Sequence, residues 1–290
     1  MASKNSDSFS LSSRAMLVKL RQERWNNGSA ADDETTQETL TRKHAEHDAG
    51  RFTKVLIPSL AMRPITSSYN AMRKTFRVQS LPWEEGVGII RSEAWDTFST
   101  RMGEHKTACE VAAREFAFKV YPTFADPKAA KARMGALYDA ADFPTPAEVH
   151  AKYQVRVIVL PVPDRQDFRV SLGDEAMKGF EEYVTTKAKE AQKDLWARVL
   201  DVLQHFASTM KDSGAKFKDV TVTNLSAIAK DAEALAIMPD ARLSTICREL
   251  AEMGKVLPDT LRTDDKARVK VAKDAAAAVA RIETIMKGAF

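Results

Sequence analysis

The longest regular pattern in the chain runs from residue 174 to residue 211. Apolar positions recur there as Met177, Phe180, Val184, Ala188, Ala191, Leu195, Val199, Val202, Phe206 and Met210. The steps repeat as three, four, four, so Ala188, Val199 and Met210 occupy equivalent positions. An eleven-residue repeat has a period of about 3.67, which keeps one apolar stripe aligned along a nearly straight helix. At about 1.5 Å per residue, that helix spans roughly 55 Å. Two arrangements satisfy such a stripe. It can pack inside its own chain, or it can meet a second copy through Phe180, Val184, Leu195, Val199, Val202 and Phe206.

After this helix the pattern predicts three more, at 224–237, 241–255 and 264–287, with Asp240 and Thr263 as caps of the last two. Val271, Ala275, Ala278, Ile282 and Ile285 give the final helix one apolar face. Upstream, residues 92–120 read as a long helix stopped by Tyr121-Pro122. Asp126-Pro127 then opens another, since proline suits a first helical turn. A short capped helix is predicted over 147–152. Strands are predicted over 52–57, 153–160 and 168–172, with an extended piece at 75–80 leading into Leu81-Pro82-Trp83 and a turn at 84–88. Residues 1–50 are rich in Ser, Asn, Thr, Asp, Glu and Lys. They are expected to form a mobile polar arm with one short helix near 14–24. A mixed α/β lobe is expected over 51–172 and a helical bundle lobe over 173–290. The fold class is therefore mainly α with a small β element.

Composition narrows the function. Hydrophobic content of 44% and charge of 29% over 290 residues are ordinary for a globular chain. No apolar run reaches the roughly 18 residues of a membrane span, no secretory leader is evident, and two isolated cysteines do not make a disulfide framework. A cytoplasmic setting is the expectation. The net charge is only +4, but it is unevenly placed. Residues 49–83 hold Arg51, Lys54, Arg63, Arg73, Lys74 and Arg77 with no acid, interleaved with Phe52, Tyr69 and Phe76. Cations neutralise phosphates, and aromatics stack on unpaired bases. This segment is the candidate surface for single-stranded nucleic acid, carried by Arg51, Lys54, Arg63, Tyr69, Arg73, Lys74, Phe76 and Arg77.

Catalytic signals are weak. His44 and His47 lack a third ligand in register, and His105, His150 and His205 have no neighbours at triad spacing. Gly86-Val87-Gly88 is too short for a phosphate loop, and adjacent acid pairs diverge on a helix. No metal site, cofactor or enzymatic activity is expected. Arg165 and Arg169 beside Asp164 and Asp167 read as a local salt-bridge network.

Three phrases stand out: Asp142-Phe-Pro-Thr-Pro-Ala-Glu-Val149, Val159-Leu-Pro-Val-Pro-Asp164 and Asp167-Phe-Arg-Val170. Together with Leu81-Pro82-Trp83, Tyr121-Pro122, Asp194-Leu-Trp-Ala-Arg198 and Asp259-Thr-Leu-Arg262, they resemble an uncharacterised family of phage and prophage proteins. Some members of that family are encoded beside MoxR-type AAA+ ATPases. The resemblance covers about residues 75–290 and implies a phage-encoded accessory protein, with an AAA+ ATPase as a possible partner and no known chemistry. The leading expectation is a self-associating, nucleic-acid-binding protein of phage DNA replication or recombination. The alternatives are a structural or assembly protein, virion-associated or an oligomeric scaffold, and an inhibitor of a host protein that uses residues 1–48 as its ligand.

Overall fold

The structure is a computed structural model that describes residues 11–25, 29–164, 173–212 and 216–290. In chain order the elements begin with β1 (Ala15–Glu23), β2 (Ser29–Ala31), α1 (Asp33–Lys43), β3 (Thr53–Val55), α2 (Ser59–Gln79), β4 (Leu81–Glu84) and β5 (Val87–Arg91). They continue with α3 (Trp95–Glu115), α4 (Tyr121–Ala125), α5 (Pro127–Met134), α6 (Pro146–Ala151) and β6 (Gln154–Pro161). Then come α7 (Asp174–Lys211), α8 (Asp219–Leu235), α9 (Ala241–Met253), α10 (Pro258–Thr263) and α11 (Asp265–Ala289). The chain is mainly helical with one small sheet of order β4-β5-β1-β6 and a two-stranded ribbon, β2-β3.

Two compact units interleave along the sequence. One comprises residues 1–19, 77–98 and 159–290; the other comprises 20–76 and 99–158. This differs from the consecutive arm, lobe and bundle that composition suggests.

In the first unit α7 follows its predicted bounds. Ala188, Ala191, Leu195, Val199, Phe206 and Met210 are buried, with Val184 and Val202 packed beside them. The stripe lies against α11, α8 and β4, where Val271, Ala275, Ala278 and Ile282 form the facing surface of α11. Alanines at 275 and 278 let the two backbones approach closely. Trp196 is fully buried and its indole N–H donates to Asp240, the residue that also caps α9. Asp264, rather than Thr263, caps α11, because Thr263 closes the unforeseen turn of α10 and Asp264 is the first residue with extended backbone. The predicted turn at 84–88 is the loop of the β4–β5 hairpin. Gly86 takes φ +71° there, and a Cβ on Gly88 would lie 2.4 Å from the Ser80 hydroxyl.

Several expectations change. Where a helix over 14–24 in a mobile arm is expected, Ala15–Glu23 form β1, a strand between β5 and β6. Ala15, Leu17 and Val18 are buried, and pairing with β5 outweighs a weak helical periodicity. Residues 33–43 are helical although only Leu40 is buried, because Asp32 caps the start and His44 closes the end in the left-handed region. The extended piece at 75–80 is the last turn of α2. The helix over 95–115 does not stop at Pro122. A π-type turn at Phe116–Val120 carries it into α4, whose first turn accepts the proline. The predicted strand at 168–172 lies outside the described residues, as do Arg165 and Arg169. Among the described residues no helix is long and apolar enough to cross a membrane.

Candidate nucleic-acid interface

Helix α2 organises the basic segment. Its sequence, Ser59–Gln79, contains no acid, and Met62, Ile65, Tyr69, Met72 and Phe76 recur at steps of three and four to form its buried face. That periodicity turns the remaining positions outward together. Arg63, Ser67, Asn70, Lys74 and Arg77 follow one another at steps of four, three, four and three on the exposed side, with Arg73 beside Lys74. Arg63, Arg73, Lys74 and Arg77 are exposed, and no described carboxylate lies within ion-pair distance of any of them. From Arg63 to Arg77 the cations extend over about 21 Å of helix.

The other predicted members are placed differently. Tyr69 is 1% exposed and Phe76 7%, so both aromatics are core and neither can stack on a base. The burial follows directly from the apolar stripe on which they sit. Lys54 is also buried, held 2.6 Å from Asp142 and 3.4 Å from Asp32. It fastens the β2–β3 ribbon to the segment before α6, and its charge is spent inside the unit. The carboxylates, Asp142 foremost, hold the Lys54 ammonium above its ordinary value. Arg51 is exposed, outside the helix.

One participant has no counterpart in the sequence expectation. On β1 and just beyond it, alternate residues face opposite ways. Arg21 and Glu23 pair with each other at 2.9 Å. Gln22 and Arg24 instead reach α2. The Gln22 amide donates to the Tyr69 carbonyl at 3.0 Å, and its oxygen accepts from Arg73 at 3.2 Å. The Arg24 guanidinium lies 4.8 Å from the Tyr69 ring centroid and 3.5 Å from the Asn70 side-chain oxygen. Burial, and then the charge of Arg73, push Arg24 below its ordinary value. The signal that could have found it was the alternation Arg21, Gln22, Glu23, Arg24, read as a strand rather than a helix.

The predicted assembly residues serve the fold. Leu195, Val199 and Phe206 are buried within their own chain, and Val184 and Val202 pack on the same core. Phe180, nearer the start of α7, is half-buried. The stripe is therefore satisfied without a second copy.

Elsewhere the chemistry is self-compensated. A cavity of about 350 Å³ in the first unit is lined by Arg14, Arg91, Glu93, Glu233 and Asp240 over an apolar floor. Arg91 already binds Glu93 and the Glu233 carbonyl, and Asp240 binds Arg242 and Trp196. In the second unit the Thr75 hydroxyl meets His105 Nε2 at 2.8 Å, tying α2 to α3, and no described carboxylate backs that imidazole. Among the described residues no three His, Cys, Asp or Glu side chains are grouped to hold a metal. Comparison with protein-family models, with curated proteins and with solved structures gave no match to this chain.

Proposed function

We propose that this chain is a non-enzymatic nucleic-acid-binding protein that grips the phosphate backbone along the exposed face of α2. One observation carries the reading: a 21-residue helix without an acid, presenting Arg63, Arg73, Lys74 and Arg77 on its exposed side with no described carboxylate beside them. With Tyr69 and Phe76 inside, base stacking has no platform there, so contact is to phosphate and independent of base sequence. We place that binding in phage DNA replication or recombination; the resemblance over about residues 75–290 bears only on a phage origin and on a MoxR-type ATPase as a candidate partner.

The test is fluorescence anisotropy of labelled single- and double-stranded oligonucleotides across a salt series. Counting Arg24 with the four cations of α2 gives up to five phosphate contacts. The slope of log K against log salt is then about −3.5 for a single strand and about −4.5 for a duplex. Changing Arg63, Arg73, Lys74 and Arg77 to Ala together leaves a slope near −1. Binding that ignores both salt and these substitutions would remove α2 as the interface.

A further inference from the structure

Resting on that reading, we propose that Arg24 and Arg73 form a clamp for a single phosphomonoester, the 5′-phosphate at the end of a nucleic-acid strand. The geometry is local and complete within one unit. Asn70 and Arg73 stand one helical turn apart on α2, and Arg24 reaches across from the end of β1 to Asn70 while Gln22 holds Arg73. Each guanidinium carries five N–H donors. Arg24 uses one, on Asn70, and Arg73 uses one, on Gln22, so most of the donors of both remain for a ligand.

Two features distinguish this pair from the solvated cations further along the helix. The Arg24 side chain is half-buried and stacked on Tyr69, so its orientation is set before anything binds. Its neighbours supply an amide oxygen and a ring face but no carboxylate, although Glu23 lies next in sequence. Glu23 points away to Arg21. Two like charges held together without a counter-ion repel, and a shared anion relieves the repulsion. A phosphomonoester, with about −1.5 to −2 charge near neutral pH, matches two guanidiniums; an internal phosphodiester carries half that.

The experiment compares one oligonucleotide bearing a 5′-phosphate with the same strand bearing a 5′-hydroxyl, both binding to the full chain. The phosphorylated strand is expected to bind about tenfold more tightly, the gain of one added charge-assisted hydrogen bond. R24Q and R73Q each bring that ratio to about one. R63A with K74A weakens both strands equally and leaves the ratio intact. Circular dichroism and the thermal midpoint establish that R24Q folds, and R24K, which keeps the charge but not the fork, retains only part of the preference. Inorganic phosphate should erase the end preference without releasing the 5′-hydroxyl strand. Equal, salt-dependent binding of the two strands to the native protein would overturn the clamp while leaving the α2 interface standing. Failure of both strands to bind would overturn both. A nucleoside 5′-monophosphate bound as tightly as the phosphorylated strand would reassign the clamp to a free phosphomonoester.

Discussion

Lys54 shows why a basic residue in sequence is not a basic residue on the surface. Nothing in the run Phe52-Thr53-Lys54-Val55 distinguishes it from Arg51, because its partners come from Asp32 and from Asp142, far along the chain. Replacing Lys54 with Met leaves two carboxylates facing each other and should lower stability by about 1–3 kcal/mol. That is below the range for fully enclosed pairs, since both carboxylates keep some contact with water; urea denaturation measures it. The pH dependence follows from the directions of shift. Asp32 is held below its ordinary value, chiefly by the Thr35 backbone N–H. It contributes stability above its unfolded value near pH 4, lost as pH falls through its lower folded value. Lys54 is raised, so its contribution is full below its unfolded value near pH 10 and is lost as pH rises through the folded one. The native protein should therefore show a stability plateau between about pH 4 and pH 10, and K54M should lower that plateau and remove the Lys54 part of its alkaline decline.

At the scale of elements, legibility tracked how much each element depends on its own residues. Helix α7 was readable to its ends because an eleven-residue stripe needs no information from elsewhere. Its interior role predicts that Leu195→Ala costs about 2–5 kcal/mol in chemical denaturation, with the mass by light scattering unchanged. A change of oligomeric state at constant stability would contradict that placement. Helix α2 was equally written in the sequence, as Met62, Ile65, Tyr69, Met72 and Phe76, but its last residues, 75–80, read as an extended piece leading into Leu81-Pro82-Trp83. The same five residues, once on a helix, separate the predicted segment into an exposed cationic face and a buried aromatic one. Strand β1 was unreadable for the opposite reason. Met16 to Leu20 suits helix or strand alike, and the choice is made by β5, whose partners Ile89 and Ile90 lie more than seventy residues away. Arg24 was missed with it, since its position depends on the strand.

Across the whole molecule, arginine has a second occupation. Arg198 donates to the carbonyls of Val78 and Ser80 at the end of α2, and Arg91 to that of Glu233 in the last turn of α8. Arg268, 6% exposed, closes α7 by donating to Thr209, Met210 and Asp212. In the second unit Arg133 holds the carbonyls of Val55 and Leu56. Helix C-termini carry partial negative charge and unsatisfied carbonyls. At the ends of α2, α7 and α8 a guanidinium from a distant segment answers both, whereas Arg133 meets carbonyls of β3 and the loop before α2. These arginines contribute to the formal charge of +4 without offering a free cation to a ligand. Arg268→Met should cost about 2–3 kcal/mol in thermal or chemical unfolding and leave nucleic-acid affinity unchanged in the folded protein. The exposed α2 cations should behave the other way, with affinity lost and stability kept.

The position of β1 between β5 and β6 has a consequence for how the protein is made. A ribosome adding about 5–20 residues per second needs roughly 4–14 s to go from the start of β1 to the start of β5. For that interval the segment Ala15-Met16-Leu17-Val18 has no strand beside it, and β6 arrives later still. Each newly made chain therefore passes through a period in which its first apolar strand is open to any edge it meets. Translation speed and chaperone supply, rather than final stability, would then set the yield of native protein.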